Sequence, residues 1–401
     1  MGAWILGSVV AYSVATWVQA ARRGLRARRA VPDRQESQTA TWPRVSVLVP
    51  AWNERGTLEG SLATLRGVVY PDWEIIVIAG GPDGTFPAAQ KLAETIPHMR
   101  VLEQQPGGKS AALAAGLKAA TGDVVVALDA DSHVGPQWLR ELVLPLMGGA
   151  AASTGNYVPL RTTPISRQAE VDKLASYEIT KIVTLQGSGS IAIWRWALEQ
   201  AGGFLEQGRY GADDWDLDAR LLHRHLPRQY AQRAVVRTER PATWREWWQN
   251  ELRWRRAHLR WMWVSRRMLA GDRRAAGRNL FPYVFAWGSV AALVVLACGA
   301  WRRVFGMGQT FAWILAAFVS WLLLRPLGSV CAVIAYTRSA SWIRVAWVRP
   351  ILALLEIVAA CIASLTFWRA RVNFKGPRSQ ASSLPAQAAQ TQLNDTVSHR
   401  K

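Results

Sequence analysis

The sequence predicts an α/β body, a mostly parallel sheet with helices on both faces, held between apolar membrane segments. Three observations predict it. Short buried-strand patterns alternate with helical ones over residues 44–129, an apolar run opens the chain, and further apolar runs fill residues 280–368. At 401 residues there is room for one α/β domain of roughly 200 to 250 residues plus membrane segments, but not for two large soluble domains.

The first run, Ala3 to Ala20, is long enough to cross a bilayer and is followed by Arg22, Arg23, Arg26, Arg28 and Arg29. A cleavable signal peptide carries its basic residues ahead of the apolar run, and none stand there. Residues 1–21 therefore read as an N-terminal transmembrane anchor. By the positive-inside rule, 22–43 read as a basic cytosolic linker, and the domain after it lies in the cytosol. The expected location is the plasma membrane.

Beyond Pro43 the strand patterns are RVSVLVP (44–50), WEIIVIA (73–79), MRVLEQ (99–104) and DVVVALD (123–129). Between them Asn53 to Arg66, Thr85 to Thr95 and Lys109 to Ala120 read as helices. Strands alternating with helices imply a parallel sheet covered on both faces. Such sheets bind ligands beyond the carboxyl ends of their strands, so the loops at Asn53, Gly80 and Asp129 are expected to share one crevice.

After about residue 240 the composition changes. Residues 241–270 place Trp244, Trp247, Trp248, Trp254 and Trp261 among seven Arg, the pattern of an amphipathic helix in the headgroup region or of one closing the soluble domain. Leu280 to Ala300, Phe311 to Tyr336 and Val348 to Trp368 read as a C-terminal membrane region of three or four segments, with Arg325-Pro326 marking a broken helix or a hairpin. Residues 369–401 read as a basic and then disordered tail. The net charge of +20 admits nucleic acid, anionic lipid or an anionic substrate. The Arg residues flank apolar runs and alternate with Trp, which favours lipid headgroups and argues against nucleic acid. Cys298, Cys331 and Cys361 lie in apolar stretches without CxxC spacing, so neither a disulfide framework nor a zinc site is indicated.

The strongest chemical signal is LDADSH (128–133). Asp129 and Asp131 follow a buried strand, and two carboxylates one residue apart can ligate Mg²⁺ or Mn²⁺ against a substrate diphosphate. The same residues also suit a solvated turn capping a helix before Pro136. His133 extends the spacing to D-x-D-x-H, as a further ligand or as ordinary polar surface.

The neighbours of that motif narrow the choice. VSVLVPAWNE (45–54), GGKSAALAAGLKAATGD (107–123), LDAD, GSGSIAIWRWALEQAGGF (187–204), ADDWDLDARL (212–221) and NELRW (250–254) follow the order of the family 2 inverting glycosyltransferases. With its apolar flanks the chain resembles the membrane-integrated branch that includes cellulose, hyaluronan and poly-N-acetylglucosamine synthases and lipid glycosyltransferases. The resemblance implies a GT-A fold, Rossmann-like, over residues 44–240, a nucleoside-diphosphate sugar donor, and Mn²⁺ or Mg²⁺.

Matched onto this sequence, Pro50, Asn53 and Glu54 form the first, nucleoside-holding loop, and Glu54 equally suits a helix cap. Lys109 opens a helix after Gly107-Gly108, where a cation and free N–H groups approach a phosphate, or it is a solvated lysine. Asp214 matches the catalytic base, with Asp213, Asp216 and Asp218 near enough to leave the assignment open. A run of four acids also suits a helix N-terminus. Arg253 and Trp254 match the end of the Q-x-x-R-W motif, which meets donor and acceptor, or they belong only to the interfacial helix.

Two departures stand out. Asn250 replaces the leading Gln of that motif, which speaks against processive synthesis. IAGGPDGT (78–85) lacks the carboxylates usual at the nucleobase and keeps only Asp83 as a donor-binding candidate. The expected activity is metal-dependent inverting transfer to a lipid or membrane-held glycan acceptor at the cytosolic leaflet. The alternatives are a processive polysaccharide synthase and a catalytically inactive sugar-nucleotide-binding subunit.

Overall fold

The computed structural model describes residues 2–29, 41–185, 187, 189–205, 213–270, 273–302 and 308–369. Residues 30–40 of the 22–43 linker, Ala212 of the 212–221 motif and the tail from 370 onward lie outside these residues. In chain order the elements are α1 (Gly2–Arg29), β1 (Val45–Trp52), α2 (Arg55–Leu65), β2 (Trp73–Gly80), α3 (Thr85–Ala93), β3 (Met99–Glu103), α4 (Lys109–Ala119), β4 (Val124–Leu128), β5 (His133–Val134), α5 (Trp138–Met147) and β6 (Ala152–Pro159). Then follow α6 (Pro164–Lys173), β7 (Ser190–Trp194), α7 (Arg195–Gln200), α8 (Asp213–His223), β8 (Arg228–Thr238), α9 (Trp244–Val264), α10 (Arg266–Ala270), α11 (Arg273–Arg302), α12 (Gly308–Leu324), α13 (Leu327–Thr337), α14 (Ile343–Ala346) and α15 (Val348–Ser364). The contacts divide the chain into a sheet unit, residues 36–161 with 183–240, and a helical unit, residues 1–35 with 162–182 and 241–370.

Among the described residues of the sheet unit, eight strands form one sheet in the order β3-β2-β1-β4-β7-β6-β8-β5. The pairings β3-β2, β2-β1, β1-β4 and β6-β8 are parallel. β7 is antiparallel to both neighbours, and β5 is antiparallel to β8. The sheet is therefore mixed, with the expected parallel character concentrated in its first half. β1, β2 and β4 are continuous Val/Ile/Leu runs because both faces are covered. On one face Leu48, Ile76, Ile78, Val125, Ala152 and Ile193 pack with Ala112 and Leu113 of α4 and Leu217 and Leu221 of α8. Strand order reverses between β1 and β4, the switch point at which such sheets open a crevice.

Among the described residues the helical unit contains three helices long and apolar enough to cross a membrane: Trp4–Arg29, Ala276–Trp301 and Gln309–Thr337. A fourth candidate is the pair Ala340–Ala346 and Val348–Ser364, bent by 41°. Arg325-Pro326 divides α12 from α13, but the two together form a single candidate span and not a hairpin, as a proline break in an otherwise continuous helix allows. α1 lies against α13 closely enough that a Cβ on Gly24 would stand 2.2 Å from the carbonyl oxygen of Ala332. The Trp/Arg segment is the single helix α9. Thr243 caps it by accepting from Glu246 N–H (3.3 Å), and the Glu246 carboxylate accepts from Ala242 N–H (2.8 Å). Ala257, His258, Trp261 and Met262 bury one side of α9 within this unit, and Trp247 packs against Ile165, Val348 and Leu352.

Candidate active site at the carboxyl end of the sheet

The site is built by turns at the ends of β1, β2 and β4 and by the N-termini of α4 and α8. β1 stops at Trp52, and Asn53 turns the chain with φ of 56°, a left-handed conformation that Asn tolerates better than most residues. Its N–H donates to Gly80 O (3.2 Å). The turn needs a glycine at 81, because a Cβ there would meet the Asn53 side chain at 2.3 Å. Glu54 is buried, its N–H donates to Thr85 Oγ1 (2.9 Å), and its Oε2 accepts from Thr57 Oγ1 (2.7 Å). It stands at the N-cap position of α2 but makes no side-chain cap bond. Pro50, expected in the same loop, sits within β1 opposite Ile78.

Asp83 holds that loop together. Its Oδ2 accepts from Arg55 N–H (3.1 Å), and its Oδ1 accepts from Thr85 N–H (3.0 Å) and Thr85 Oγ1 (2.6 Å). Both carboxylate oxygens thus tie the starts of α2 and α3 together. The carboxylate at which a donor contact is expected thus also braces its own loop.

Lys109 is the first residue of α4, and its Nζ lies 2.5 Å from Asp129 Oδ1, with both side chains partly exposed. Three carboxylates, those of Asp129, Asp214 and Asp213, act on this ammonium; although burial opposes the charge, they hold it firmly protonated. Asp213 and Asp214 occupy the first turn of α8, where the helix dipole favours acids. Burial raises both carboxyls. Asp213 is lifted to about 6, against a hydrogen bond with Ser110 and the charge of Lys109. Asp214 is raised although its carboxylate accepts from Gly187 N–H (3.0 Å) and Trp215 N–H (2.9 Å) and feels Lys109.

The other two acids of the run are engaged elsewhere. Asp216 pairs with Arg220 (2.7 Å), which also donates to Gly203 O (2.9 Å), and Asp218 pairs with Arg228 (2.5 Å) and accepts from Leu185 N–H (3.1 Å). The four-acid run thus divides into an arginine-bound half that shapes the loops and a half that faces Lys109. Sequence reasoning missed Ser110, Gly187 and Arg240, whose guanidinium donates to Gly187 O and stacks on Tyr157 at 3.9 Å. The glycines flanking position 188 were the available signal for the second.

Asp131 is buried and accepts from Thr238 Oγ1 (3.3 Å). His133 is buried in β5 opposite Arg237, and burial holds its imidazole below the usual range. Among the described residues no three His, Cys, Asp or Glu side chains come together so as to hold a metal ion. D-x-D-x-H is therefore not a three-ligand cage here, because the chain enters the β5 ladder between Asp131 and His133. Two carboxylates at a strand end do fit a hard divalent cation of the kind that takes one or two protein carboxylates and completes its shell with water and substrate phosphate.

Arg253 and Trp254 lie in the helical unit, midway along α9. Arg253 donates to Asn250 Oδ1 (2.6 Å), the residue in the leading position of their motif, and its guanidinium stands 4.7 Å from the Trp254 ring.

Comparison with known proteins agrees with this architecture. Residues 46–193 match the model of glycosyl transferase family 2. The chain is 27% identical over 235 residues to the probable glycosyltransferase YdaM of Bacillus subtilis, covering 54% of this chain and 55% of that one. It is 24% identical over 351 residues to β-monoglucosyldiacylglycerol synthase of Synechocystis, covering 79% and 71%. The chain thus spans about half the length of YdaM. The solved mannosyltransferase PcManGT of Pyrobaculum calidifontis, in complex with GDP-Man and Mn²⁺, superposes with a TM-score of 0.51 at 19% identity, over 92% of this chain and 99% of that one. That likeness is one of fold, and it is the expected GT-A fold. With sheet, crevice and sequence in agreement, residues 46–193 match a glycosyl transferase family 2 domain.

Proposed function

We propose that the protein transfers a sugar, with inversion, from a nucleoside-diphosphate sugar to a hydroxyl of a lipid or membrane-held glycan acceptor. The observation that carries this reading is the pair Asp213–Asp214 at the start of α8, facing Lys109 and, through it, Asp129 at the end of β4. Lys109 and the α4 N-terminus supply positive potential for the donor diphosphate. Pro50, Asn53 and Glu54 line the nucleoside side, and Asp83 keeps that loop in shape. Asp129 and Asp131 would hold Mg²⁺ or Mn²⁺, which when bound neutralises charge on the departing diphosphate. His133 is near in sequence and supports the strand beneath.

Asp214 is the proposed base. It takes the proton of the acceptor hydroxyl while that oxygen forms its bond to the anomeric carbon. The bond from that carbon to the donor's phosphate oxygen breaks, and its electron pair leaves with the nucleoside diphosphate. A carboxyl whose pKa is raised by burial is, once ionised, a better proton acceptor than a solvated aspartate. Three candidate spans, together with a relative named as a diacylglycerol glucolipid synthase, support an acceptor held at the membrane. They also support a cytosolic active site beside the inner leaflet, given the Arg cluster that follows the first span.

The test is release of nucleoside diphosphate by the detergent-purified protein across a panel of sugar nucleotides, with Mn²⁺, with Mg²⁺ and with EDTA. One donor should be turned over, EDTA should abolish turnover, and Asp214→Asn should lower the rate by a factor on the order of 10² to 10⁴ while donor binding persists. Undiminished turnover in Asp214→Asn would remove the base assignment. Absence of turnover with every donor, acceptor lipids included, would remove the enzyme reading.

A further inference from the structure

Five charged side chains of the helical unit form a row that the proposed reaction leaves unused. They come from three helices: Asp172 from α6, Glu251 and Arg255 from α9, and Arg349 and Glu356 from α15. Arg349 Nη2 lies 3.6 Å from Asp172 Oδ1, and its Nη1 donates to Glu356 Oε1 (2.9 Å). Arg255 Nη2 lies 4.0 Å from Glu356 Oε2, and its Nε donates to Glu251 Oε1 (2.6 Å). The order is therefore Asp172, Arg349, Glu356, Arg255, Glu251, with alternating signs and a carboxyl at each end. Fully ionised, three acids against two guanidiniums leave one negative charge in excess. Arg349 and Glu356 lie in a candidate span, where an unbalanced charge is costly and marks function.

The groups around the row do not remove the excess. His258 and Tyr283 stand beside Arg255, but they pair with each other (3.0 Å), and burial holds the imidazole at about 4, so it is neutral at pH 7. Arg167 and Lys173 of α6 lie over the Trp342 and Tyr177 rings, and Arg344 of α14, Arg338 after α13 and Arg278 of α11 are exposed. Burial raises both end carboxyls; Arg255 and Arg349 oppose it, and the central Glu356 adds to it. Asp172 is the wetter end, its side chain 47% exposed against 23% for Glu251, so a charge rests more easily on Asp172 and a proton on Glu251. Gln168, one turn before Asp172 on α6, is buried beside that carboxyl, yet neither end of its carboxamide has a partner in hydrogen-bond geometry. A carboxamide can donate to a carboxylate or accept from a carboxylic acid, so it suits a neighbour in a row that gains and loses a proton. We propose that this row is a proton-binding site: its three carboxyls hold one proton, carried by Glu251, and release of that proton to solvent loosens the junction of α6, α9 and α15. A carboxyl held above its ordinary range contributes stability that is complete in acid and is lost as pH rises through its folded pKa.

The test is the melting temperature of the full-length protein in detergent from pH 6 to pH 9, for the wild type, Glu251→Gln, Asp172→Asn and the double variant, with infrared spectra of the same samples. Glu251→Gln should melt within about 1 °C of the wild type at pH 6 and about 2–4 °C above it at pH 9. Asp172→Asn should gain likewise at pH 9, because Glu251 can then ionise against Arg255, and the double variant, with a guanidinium in excess, should lose that gain. The wild type should show a protonated-carboxyl C=O band that fades as pH rises and is missing from both single variants, which lie on different helices, so that one of them suffices if the other does not fold. A fully ionised salt-bridge network behaves in the opposite way, since depriving Arg255 of its acid destabilises at every pH. Single variants that melt below the wild type throughout, a double variant more stable than either at pH 9, or spectra without the difference band overturn the inference. So does a wild-type melt at pH 9 that Na⁺ or Ca²⁺ raises and that neither ion raises in Glu251→Gln, for the occupant would then be a metal cation.

Discussion

Lys109 is the positive charge that lowers the pKa of both carboxyls at the start of α8, so removing it should move the acid limb of activity upward in pH. Asp213 is held at about 6 and Asp214 is also raised, burial being the largest cause for each and Lys109 an opposing one. kcat/KM reports the ionisations of the free enzyme, so it should fall in acid as the α8 carboxyls take up protons. An opposite charge a few ångströms away lowers a carboxyl pKa by roughly 1–3 units, so Lys109→Ala should raise the midpoint of that fall by at least about one unit. Absolute affinity will fall as well, since Lys109 is also proposed to meet the diphosphate, which is why the midpoint and not the rate is diagnostic. Lys109→Arg keeps the charge and should keep the midpoint. The assay is nucleoside-diphosphate release at subsaturating donor from pH 4.5 to 9. A Lys109→Ala midpoint at or below that of the wild type, or equal shifts in the Ala and Arg variants, would refute the electrostatic account.

The same raised carboxyl has a cost in stability. Asp213 has a folded pKa of about 6 against 3.8 for the unconstrained group, so the native state binds its proton more tightly and stability falls as pH rises through that interval. Asp213→Asn should therefore stabilise the protein by about 1–3 kcal/mol above pH 6 and by nothing near pH 4, read as the melting temperature in detergent at the two pH values. Glu74 has the opposite sign. Burial pushes its carboxyl up, but hydrogen bonds from Thr121 Oγ1, Ser46, Thr121 N–H and Arg100 outweigh it and hold the group at about 2. Its contribution is complete above about pH 4.5 and is lost as pH falls toward 2, so Glu74→Gln should lower stability by about 2–3 kcal/mol at pH 7, with the difference closing in acid. An equal difference at pH 7 and pH 2.5 would exclude the charge as the cause. In the helical unit, Gly24→Leu should destabilise by at least about 1–3 kcal/mol, because the clash is with the Ala332 backbone, which cannot rotate away. An unchanged melt would show that α1 does not pack on α13 as described.

What the sequence made legible follows from burial and from range. β1 (VSVLVPAW) and β2 (WEIIVIAG) are buried on both faces, and their continuous apolar runs announce them. β6 (ASTGNYVP) is as buried but is built of small and polar residues, and β8 carries Arg228, Arg233 and Arg237, so neither shows a strand period. β5 is two residues long and has no period to show. Within the site, Lys109, Asp129 and Asp214 could be singled out because each sits in a local motif. The division of the acidic run could not, since Asp218 depends on Arg228 and on the Leu185 N–H, and those meet it only after β8 and the preceding loop are placed. The bracing role of Asp83 was hidden for the same reason. Its donors include Arg55, 28 residues away, and an acid in a Gly-rich turn looks open until that partner is known.

The charge pattern around Lys109 constrains the order of events. Asp129, Asp213 and Asp214 surround one ammonium, so the assembled pocket carries a net negative charge whenever all are ionised. A diphosphate approaching that pocket gains from Lys109 and the α4 N-terminus and loses to the three carboxylates, and the balance is unfavourable without further positive charge. Two routes reduce the deficit: protonation of the α8 pair, which the raised pKa values favour in acid, or a divalent cation held at Asp129 and Asp131. The first disables the proposed base and the second preserves it. Donor affinity in EDTA should therefore improve as pH falls from 8 to 5 while transfer disappears, whereas with Mn²⁺ donor affinity should depend little on pH over that interval. An affinity in EDTA that is flat with pH would mean that the α8 carboxylates lie too far from the diphosphate to act on it. Asp214 would then need another explanation for its place beside Lys109.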